Sequence, residues 1–513
     1  MNETALQTRA HPVIPAITLL GLSALLVIVA VLVILSDSSA GEGWPLMVSL
    51  LSLGWLSIYF LTSFLATKTA YTLLNAYVLA LSLFHLGLIV QVGFGFVEAP
   101  AYTIGPEANW FEAAGWHVLV ALGSIGIGAA TSYFLVRREI IKPSVRTQLK
   151  LASHKFIFKQ GLGLLIASIV FLTMGLATYG NLLSYSRGDL FASNLDSRGL
   201  GVFMMVFPGA LVLLVISAHS KATKLFSYSF AALAFIVLML SGYRSVALFP
   251  ALLGVILWVK SGRRIPIYVA ASALAGLLIA IAAIGVLRQL GTYEELGQDQ
   301  LQASLQESSV SNSISEMGST AGVFAQAIRF VPLEDEFLFG RSYWIAVKGM
   351  LPNIGSKVDG AFGRGAVKAN VIAESDVIRR LRPADWITYR LNRWKFDNGQ
   401  GVGFSAIAEA YINFGTLGVV VFFVFIGHLV TRLDAKDFVL YPLTYLIVAS
   451  AFWPLIKTVR NDFGNFTKPF AFVLLTLIIW NIGLSILGKR APIKKQIRAI
   501  LRHHIRMDFE SAK

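Results

Sequence analysis

The chain has 513 residues, of which 56% are hydrophobic and 14% are charged, and its mean hydropathy is +0.68. Soluble domains carry roughly a quarter charged residues and disordered chains carry few apolar ones, so this composition excludes both classes. The 43 Lys and Arg against 28 Asp and Glu give a net charge of +15, which in a soluble protein would suggest nucleic acid. In a membrane protein that charge first indicates topology, because cytoplasmic loops collect Lys and Arg.

The sequence contains twelve segments that are apolar enough to span a membrane, which takes about 20 residues each. We predict spans at 13–35, 44–65, 71–95, 114–136, 160–184, 199–218, 226–241, 245–259, 265–287, 404–431, 438–456 and 469–487. The first is too long for the core of a signal peptide, so we expect it to be retained as a helix. The chain has no cysteine, which excludes disulfides and thiolate metal ligands.

Basic residues predict which side of the membrane each loop occupies. Seven Lys and Arg lie in 137–159, three in 260–264 and eight in 489–513, and all three segments fall on one side of a twelve-span chain. The positive-inside rule makes that side cytoplasmic and places both termini there. This side holds 24 of the 43 basic residues, so the net charge does not indicate a nucleic-acid partner. The basic tail is expected to lie on anionic lipid.

This topology divides the chain into four parts. We predict nine transmembrane helices in 1–287, a large external loop in 288–402, helices ten to twelve in 403–487 and a basic cytoplasmic tail in 488–513. The loop carries 13 acidic and 13 basic residues, so it is not a general polyanion binder. A connection this long points to a functional role. The predicted fold class is an all-α polytopic membrane protein with about twelve transmembrane helices and one large external loop between helices nine and ten.

Three external arginines precede the large loop. Tyr243 and Arg244 form the turn between two short spans, and the second span has about 15 apolar residues, near 22 Å at ~1.5 Å per residue. The turn should sink into the outer leaflet, where an Arg either snorkels to lipid headgroups or faces a cavity as an anion clamp. Arg187 and Arg198 bracket a short external stretch. They either form local salt bridges with nearby Asp residues or bind a diphosphate with their planar guanidinium groups.

Two segments of the large loop combine Arg with aromatic residues. In 382–397, helical periodicity places Arg390 and Arg393 on one stripe, with Trp394 on the flank beside it. The segment is either a helix resting on the membrane or a platform that stacks on sugar rings while its charged groups bind hydroxyls or phosphate. Arg341 begins a second aromatic cluster, for which packing of the loop against the membrane face is the alternative.

Glu409 lies near the outer end of the tenth predicted span. It is the acidic residue of that segment, and a carboxylate at such a depth favours a functional site or a buried pair. It could act as a general base or orient an Arg. His85 and His117, the outward-facing histidines, lack a metal-like partner at i+3 or i+4, so we predict no metal site. No Gly-rich phosphate loop occurs on the cytoplasmic side, so neither ATP nor another cofactor is expected.

Three motifs, in order along the chain, resemble those of the Wzy-type O-antigen polymerases, the oligosaccharide repeat-unit polymerases. The stretch 403–430, which begins GFSAIAEAYINFG, is similar to their Gly-Phe-Ser, E-x-Y and N-F-G signature followed by an apolar helix. SGYRS at 241–245 resembles their Gly-x-Arg-Ser turn between two short spans. LFGRSYW followed by LPN at 338–353 resembles their G-x-S-Y and P-R segment, with Asn353 where an Arg is often seen. The resemblance covers roughly 180–485.

The resemblance implies a membrane-embedded, GT-C-like glycosyltransferase. Its donor and acceptor would both be short glycans on undecaprenyl diphosphate, presented at the periplasmic face of the bacterial inner membrane. The growing chain would pass from its lipid diphosphate to a hydroxyl of a new lipid-linked unit, without metal or ATP. A chain-length regulator is a candidate partner.

Site residues can then be assigned by role. Displacing a lipid diphosphate needs cations fixed where the leaving-group charge develops. We assign catalysis to Glu409 and Arg244 and substrate binding to Arg187, Arg198, Tyr243, Arg341, Arg390, Arg393 and Trp394. Of these, Arg187, Arg198, Arg244 and Arg341 are expected at the diphosphate, and Arg390, Arg393 and Trp394 nearer the glycan.

Two other functions remain open on the sequence. An O-antigen ligase would share the spans and the donor, but it should carry His and Arg motifs in its external loop, and 288–402 contains no His. A twelve-helix transporter built of two halves should show matching halves joined by a central cytoplasmic loop, whereas the dominant loop here is external.

Overall fold

The computed structural model describes residues 13–36, 41–98, 108–135, 143–179, 200–240, 243–261, 314–350, 381–397, 400–436 and 442–487, apart from single positions within these ranges and a few isolated ones outside them. This described part is helical and contains no strand. Its fifteen α-helices are α1 Val13–Leu35, α2 Trp44–Thr67, α3 Leu73–Gly93, α4 Ala108–Leu135, α5 Pro143–Tyr179, α6 Leu200–Ser217, α7 Lys221–Leu240, α8 Arg244–Lys260, α9 Thr320–Phe330, α10 Arg341–Lys348, α11 Pro383–Leu391, α12 Arg393–Asp397, α13 Ala406–Ala435, α14 Pro442–Lys457 and α15 Gly464–Ile486.

Ten of the described helices, α1 to α7 and α13 to α15, are long and apolar enough to cross a membrane, with α14 counted together with the 3-10 turn that extends it to Arg460. They coincide with ten of the twelve predicted spans, which confirms the all-helical polytopic fold class. The predicted span 245–259 corresponds to the shorter helix α8, which has 17 residues. The predicted span 265–287 and most of the loop 288–402 lie outside the described residues.

Several helices begin before the apolar segment that predicted them. The helix α4 starts at Ala108 rather than 114, and α5 starts at Pro143 rather than 160. The helix α15 starts at Gly464 rather than 469. Hydropathy marks only the stretch that lipid favours, whereas backbone hydrogen bonding continues into polar flanks that retain helix propensity.

The centre of the bundle is formed by α4, which packs against α1 on one side and α13 on the other. Small residues allow the close approach of α4 and α13. A Cβ on Gly128 would overlap the backbone oxygen of Val424, and one on Gly427 would overlap that of Ile125. Helices packed in lipid gain mainly from such close contact, because burial away from water drives little association there.

At the far end of α13, Asp434 joins three helices. Its carboxylate pairs with Lys260 at the end of α8, with 2.6 Å between Lys260 Nζ and Asp434 Oδ1. The same carboxylate accepts hydrogen bonds from the backbone N–H groups of Leu73 (3.0 Å) and Leu74 (3.5 Å) at the start of α3. Helix N-termini carry unsatisfied N–H groups and attract negative charge, so this carboxylate fixes the end of α13 against α3 and α8.

Because the α4–α13 contact requires glycine, Gly427→Ala should destabilise the protein. We expect a loss on the order of 1–3 kcal/mol, since the added methyl forces the two backbones apart. The matched control is Gly483→Ala on α15, where nothing lies within 4 Å of the added Cβ. Alanine is the better helix former by about 1 kcal/mol, so this control should keep or raise stability. Thermal unfolding of detergent-solubilised protein checks the pair, and equal midpoints would contradict the interpretation.

Candidate functional site

The helix α13 is broken near its start. Phe414 has φ −144° and ψ 20°, and Gly415 has φ 62° and ψ −153°, so the chain leaves helical geometry between Asn413 and Thr416. A positive φ of this kind is adopted readily by glycine alone, which explains the Gly at this position. The break separates a short first segment carrying Glu409 from the long membrane helix that follows.

Backbone groups released by the break are satisfied by the segment that precedes α10. The N–H of Leu338 donates to Ile412 O at 2.9 Å, and that of Phe339 donates to Asn413 O at 3.1 Å. Unpaired backbone groups are costly at membrane depth, so non-helical backbone occurs there only where protein satisfies it. The segment before α10 and the broken helix therefore form one unit.

Asn413 connects the two parts with its side chain. Its Oδ1 accepts from the N–H of Gly340 at 2.9 Å, and its Nδ2 donates to Ser342 Oγ at 2.7 Å and to Glu409 O at 2.7 Å. Asn413 is fully buried, and Ser342 and Glu409 are buried as well. The amide thus links the start of α10 to the segment of α13 that precedes the break.

The carboxylate of Glu409 lies at the centre of this network. Its Oε1 accepts from Ser342 Oγ at 2.7 Å, and its Oε2 accepts from the backbone N–H of Phe463 at 2.6 Å, just before α15. Each carboxylate oxygen has two lone-pair directions, so one on each oxygen remains for a further donor. Glu409 therefore binds α10 and α15 together and still has capacity to accept a proton or a hydrogen bond.

A second buried carboxylate, Asp462, lies within electrostatic range of Glu409. It is fully buried and accepts from Asn465 Nδ2 at 3.0 Å and from the backbone N–H groups of Asn465 (3.3 Å) and Ala384 (3.4 Å). These bonds place the start of α11 beside the turn before α15. Sequence reasoning assigned no role to Asp462, although its polar position between two apolar spans was a usable signal.

The first turn of α13 is held by Ser405 and His85. Ser405 caps the helix, accepting from the N–H groups of Ile407 (3.1 Å) and Ala408 (3.3 Å). The Nε2 of His85, on α3, lies 2.7 Å from the same hydroxyl. The motif Gly-Phe-Ser thus ends on a helix cap that is positioned by a buried histidine, one turn from Glu409.

The predicted residues of the large loop fall into two groups. Arg341 is exposed at the first position of α10, directly before Ser342, which brings it next to the Glu409 network. Arg390 lies apart and is paired, with 2.9 Å between its Nη2 and Asp335 Oδ2 and 3.7 Å between its Nη1 and Glu334 Oε2. Its guanidinium also lies over the ring of Phe330, 5.4 Å from the centroid.

The continuous helical periodicity predicted for 382–397 is wrong. Asn392 has φ −153° and ψ 91°, so α11 ends there and the short helix α12 begins at Arg393. The Asn392 side chain accepts from the N–H of Lys395 at 2.9 Å, a local bond that competes with continued helix. Arg390 and Arg393 consequently do not share one helical stripe.

Arg393 and Trp394 lie on the exposed surface of α12. The Nε of Arg393 lies 3.2 Å from Asp397 Oδ1, and its guanidinium stacks on the ring of Tyr389 at 4.2 Å. Trp394 is 65% exposed. Both side chains are exposed, and this exposure fits a sugar platform and a helix resting on the membrane alike.

The remaining predicted residues are described only in part. Tyr243 is half-buried directly before α8, and Arg244 is the first residue of α8, although its side chain is not among those described. Arg187 and Arg198 lie outside the described residues. Within the described part, no group of three His, Asp or Glu side chains is arranged to hold a metal ion.

In the part of the chain that the structure describes, an all-helical fold with ten apolar spans and a polar site built on a broken helix defines a multi-pass membrane protein. A family model described as O-antigen polysaccharide polymerase Wzy matches residues 17–490, nearly the whole chain. The chain belongs to this family, whose members are glycosyltransferase-like polymerases that make O-antigen polysaccharide. Neither the curated proteins nor the solved structures provide a match.

Because the Asn413 side chain makes two hydrogen bonds to the start of α10, at Gly340 and Ser342, Asn413→Ala should release α10 from α13. Each buried bond contributes about 1 kcal/mol, and the partners left unsatisfied cost more. We expect faster tryptic cleavage after Arg341 and Lys348 in the folded protein, read by mass spectrometry. Asn481→Ala is the matched control, because it removes a half-buried amide pair with Gln160 on other helices. If both variants are cleaved at the same rate, the two Asn413 bonds to Gly340 and Ser342 do not hold α10.

Proposed function

We propose that this protein polymerises oligosaccharide repeat units carried on undecaprenyl diphosphate, by glycosyl transfer at the periplasmic face of the bacterial inner membrane. The observation that supports this most directly is a buried carboxylate, Glu409, held between the external segment at α10 and the turn before α15. The predicted topology, with both termini cytoplasmic, puts that end of α13 on the periplasmic side.

In the proposed reaction, the acceptor hydroxyl of a new unit attacks the anomeric carbon of the growing chain. The bond from that carbon to the diphosphate oxygen breaks, its electron pair leaves with the diphosphate, and the acceptor proton passes to Glu409. A base of this kind contributes typically 10²–10⁴-fold to the rate. The reaction needs neither ATP nor a metal ion, because the diphosphate is already an activated leaving group.

The leaving diphosphate needs fixed positive charge. Arg341 and Arg244 are the proposed contacts, together with Arg187 and Arg198. Arg341 is supported by its position beside Ser342, which bonds to Glu409. Tyr243, next to Arg244, is proposed to line the same part of the site.

The glycan is proposed to lie against α12, where Arg393 and Trp394 are exposed together. Aromatic faces stack on sugar rings while guanidinium groups bind hydroxyls. Arg390 is held by its ion pairs with Asp335 and Glu334. We propose that it fixes the position of the surface formed by α12 and contacts the glycan at the margin of that surface.

The lipid part of the donor needs an apolar site within the membrane. A cavity of about 260 Å³ between α6, α7 and α8 is lined by apolar side chains, and it extends from Val246, two residues after Arg244, to Trp258. An isoprenoid chain is flexible and entirely apolar, so this cavity could hold part of it while the diphosphate reaches Arg244.

Two further contacts are proposed outside the site. The basic tail 488–513 would lie on anionic lipid of the cytoplasmic leaflet, which attracts each Lys or Arg by about 1 kcal/mol. A chain-length regulator would contact the external loop or the membrane helices.

The charge of Glu409 should be required for polymerisation. In Glu409→Gln the amide oxygen can still accept from Phe463 N–H and the amide N–H₂ can donate to Ser342 Oγ, so the fold should persist without the negative charge. We expect a deletion strain that expresses this variant, or Arg244→Ala, to make lipopolysaccharide with a single repeat unit instead of a ladder. Gel analysis of lipopolysaccharide checks this result.

Glu112→Gln is the matched control, since Glu112 is another buried glutamate near the start of a membrane helix and accepts from Trp116 Nε1 at 3.3 Å. It should leave the ladder unchanged. A full ladder from Glu409→Gln or Arg244→Ala would show that the assignment is wrong. Complete loss of O-antigen on deletion of the protein, rather than single-unit product, would indicate a ligase.

Filling the membrane cavity should weaken use of the lipid-linked donor. Gly254 lines the cavity and has nothing within 4 Å of an added Cβ, so Gly254→Leu can occupy the space without a backbone clash. We expect a raised KM for the lipid-linked donor in reconstituted vesicles, with an unchanged melting temperature. Gly54→Leu on α2, which is also open within 4 Å, is the control. An unchanged KM for Gly254→Leu would place the lipid elsewhere.

A further inference from the structure

Two buried tyrosine hydroxyls, that of Tyr343 near Glu409 and that of Tyr77 near Tyr343, have no hydrogen-bond partner among the described residues. Among the described residues, neither Tyr77 Oη nor Tyr343 Oη forms a hydrogen bond, although both oxygens are shielded from solvent. Leaving a buried hydroxyl unsatisfied costs about 1–3 kcal/mol, and proteins rarely retain such groups without a water or a ligand to pair with them. Neither tyrosine was assigned a role above.

Tyr343 lies between the two groups that bind Glu409. It follows Ser342, whose hydroxyl donates to Oε1, and its ring meets the ring of Phe463 edge to face, with centroids 5.4 Å apart. The backbone N–H of Phe463 donates to Oε2. Burial raises the pKa of Tyr343 well above its usual value, and the charge of Glu409 and the nearby Tyr77 raise it further. The phenol therefore stays protonated and can donate a hydrogen bond.

Tyr77 approaches the same place from α3. It is fully buried, and Thr458 lies close to its hydroxyl without the geometry of a hydrogen bond. The Thr458 hydroxyl donates instead to Leu455 O at 2.7 Å. Thr458 begins the 3-10 turn Thr458–Arg460, and Asp462 follows that turn by two residues. Tyr77 therefore lies beside the connection between α14 and α15 that carries Asp462.

The hydrogen-bonding capacity and the negative charge of the two tyrosines and Glu409 indicate which class of ligand would bind. Two phenols can each donate and accept one hydrogen bond, while Glu409 offers free lone pairs and negative charge. A second carboxylate, Asp462, lies close by. An anionic group such as phosphate would be repelled here, whereas a neutral polyol can donate to the carboxylate and accept from both phenols.

We infer that Tyr77 and Tyr343, together with Glu409, form the subsite for the acceptor sugar. This inference rests on the proposed function and specifies where the acceptor hydroxyl is held. The hydroxyl donates to Glu409, and the phenols bind the oxygens on either side of it. Tyr343 is the partly exposed member of the pair, so the sugar would reach the subsite along its side chain.

Tyr343→Phe and Tyr77→Phe test this inference, because each removes one oxygen and keeps the ring. The assay uses the full-length protein in vesicles, with a lipid-linked growing chain as donor and a repeat-unit oligosaccharide lacking the lipid diphosphate as acceptor. We expect the KM for the acceptor to rise about three- to tenfold in each variant, the range that one lost hydrogen bond gives. The KM for the donor should stay unchanged.

The melting temperature of each variant shows whether a change in the acceptor KM comes from lost binding or from disturbed packing. Loss of an unsatisfied hydroxyl should leave the melting temperature equal to or above that of the wild type. Tyr59→Phe is the matched control, because Tyr59 is also fully buried with an unpartnered hydroxyl, stacked on Trp55 in α2 and remote from Glu409. It should leave the acceptor KM at the wild-type value.

Each result decides one question. Wild-type protein that extends neither this oligosaccharide nor a lipid-linked repeat unit would overturn the proposed function itself, and extension of the lipid-linked unit alone would overturn an acceptor subsite that binds the sugar by these three side chains. Active wild type, with acceptor KM unchanged in both Tyr343→Phe and Tyr77→Phe, would overturn the subsite alone. A raised acceptor KM that appears equally in Tyr59→Phe would also overturn it, because the effect would then follow from a general change in packing.

Discussion

A helix that breaks at membrane depth releases backbone groups that lipid cannot satisfy, and the site depends on how this protein meets that constraint. The carbonyl groups of Ile412 and Asn413, just before the break at Gly415, accept from the N–H groups of Leu338 and Phe339, and the Asn413 side chain accepts from Gly340. These bonds require the segment before α10 to lie on α13. The position of Ser342, and through it of the Glu409 carboxylate, follows from that requirement.

Polar groups at the site are supplied by segments far apart in the chain. Glu409 on α13 is bound by Ser342 on α10 and by the backbone before α15, and Ser405 is positioned by His85 on α3. Such buried networks are stable only when every member is satisfied, since low dielectric makes each missing bond costly. Among the described residues, the hydroxyls of Tyr343 and Tyr77 have no hydrogen-bond partner, and the proposed acceptor subsite rests on them.

Hydropathy predicted most of the membrane helices, because a span must be apolar whatever it packs against. Glu409 was also predictable, since a carboxylate in an apolar segment is costly and needs a reason. The roles of Ser342, Asn413 and Asp462 were not, because each depends on a contact between distant segments. The end of α11 at Asn392 was missed for a different reason. A local side-chain bond there overrides a helical pattern that the sequence otherwise continues.

The Asp434 contacts at the other end of α13 restrict the number of residues that this helix can have between Gly415 and Asp434. Asp434 must face both Lys260 and the start of α3, while Glu409 must face α10 and α15. One residue added to the uninterrupted helix between Gly415 and Asp434 would turn Asp434 by about 100° away from both partners. The length of this segment is therefore set by rotation about the helix axis as well as by membrane thickness, and insertions should be tolerated only in whole turns.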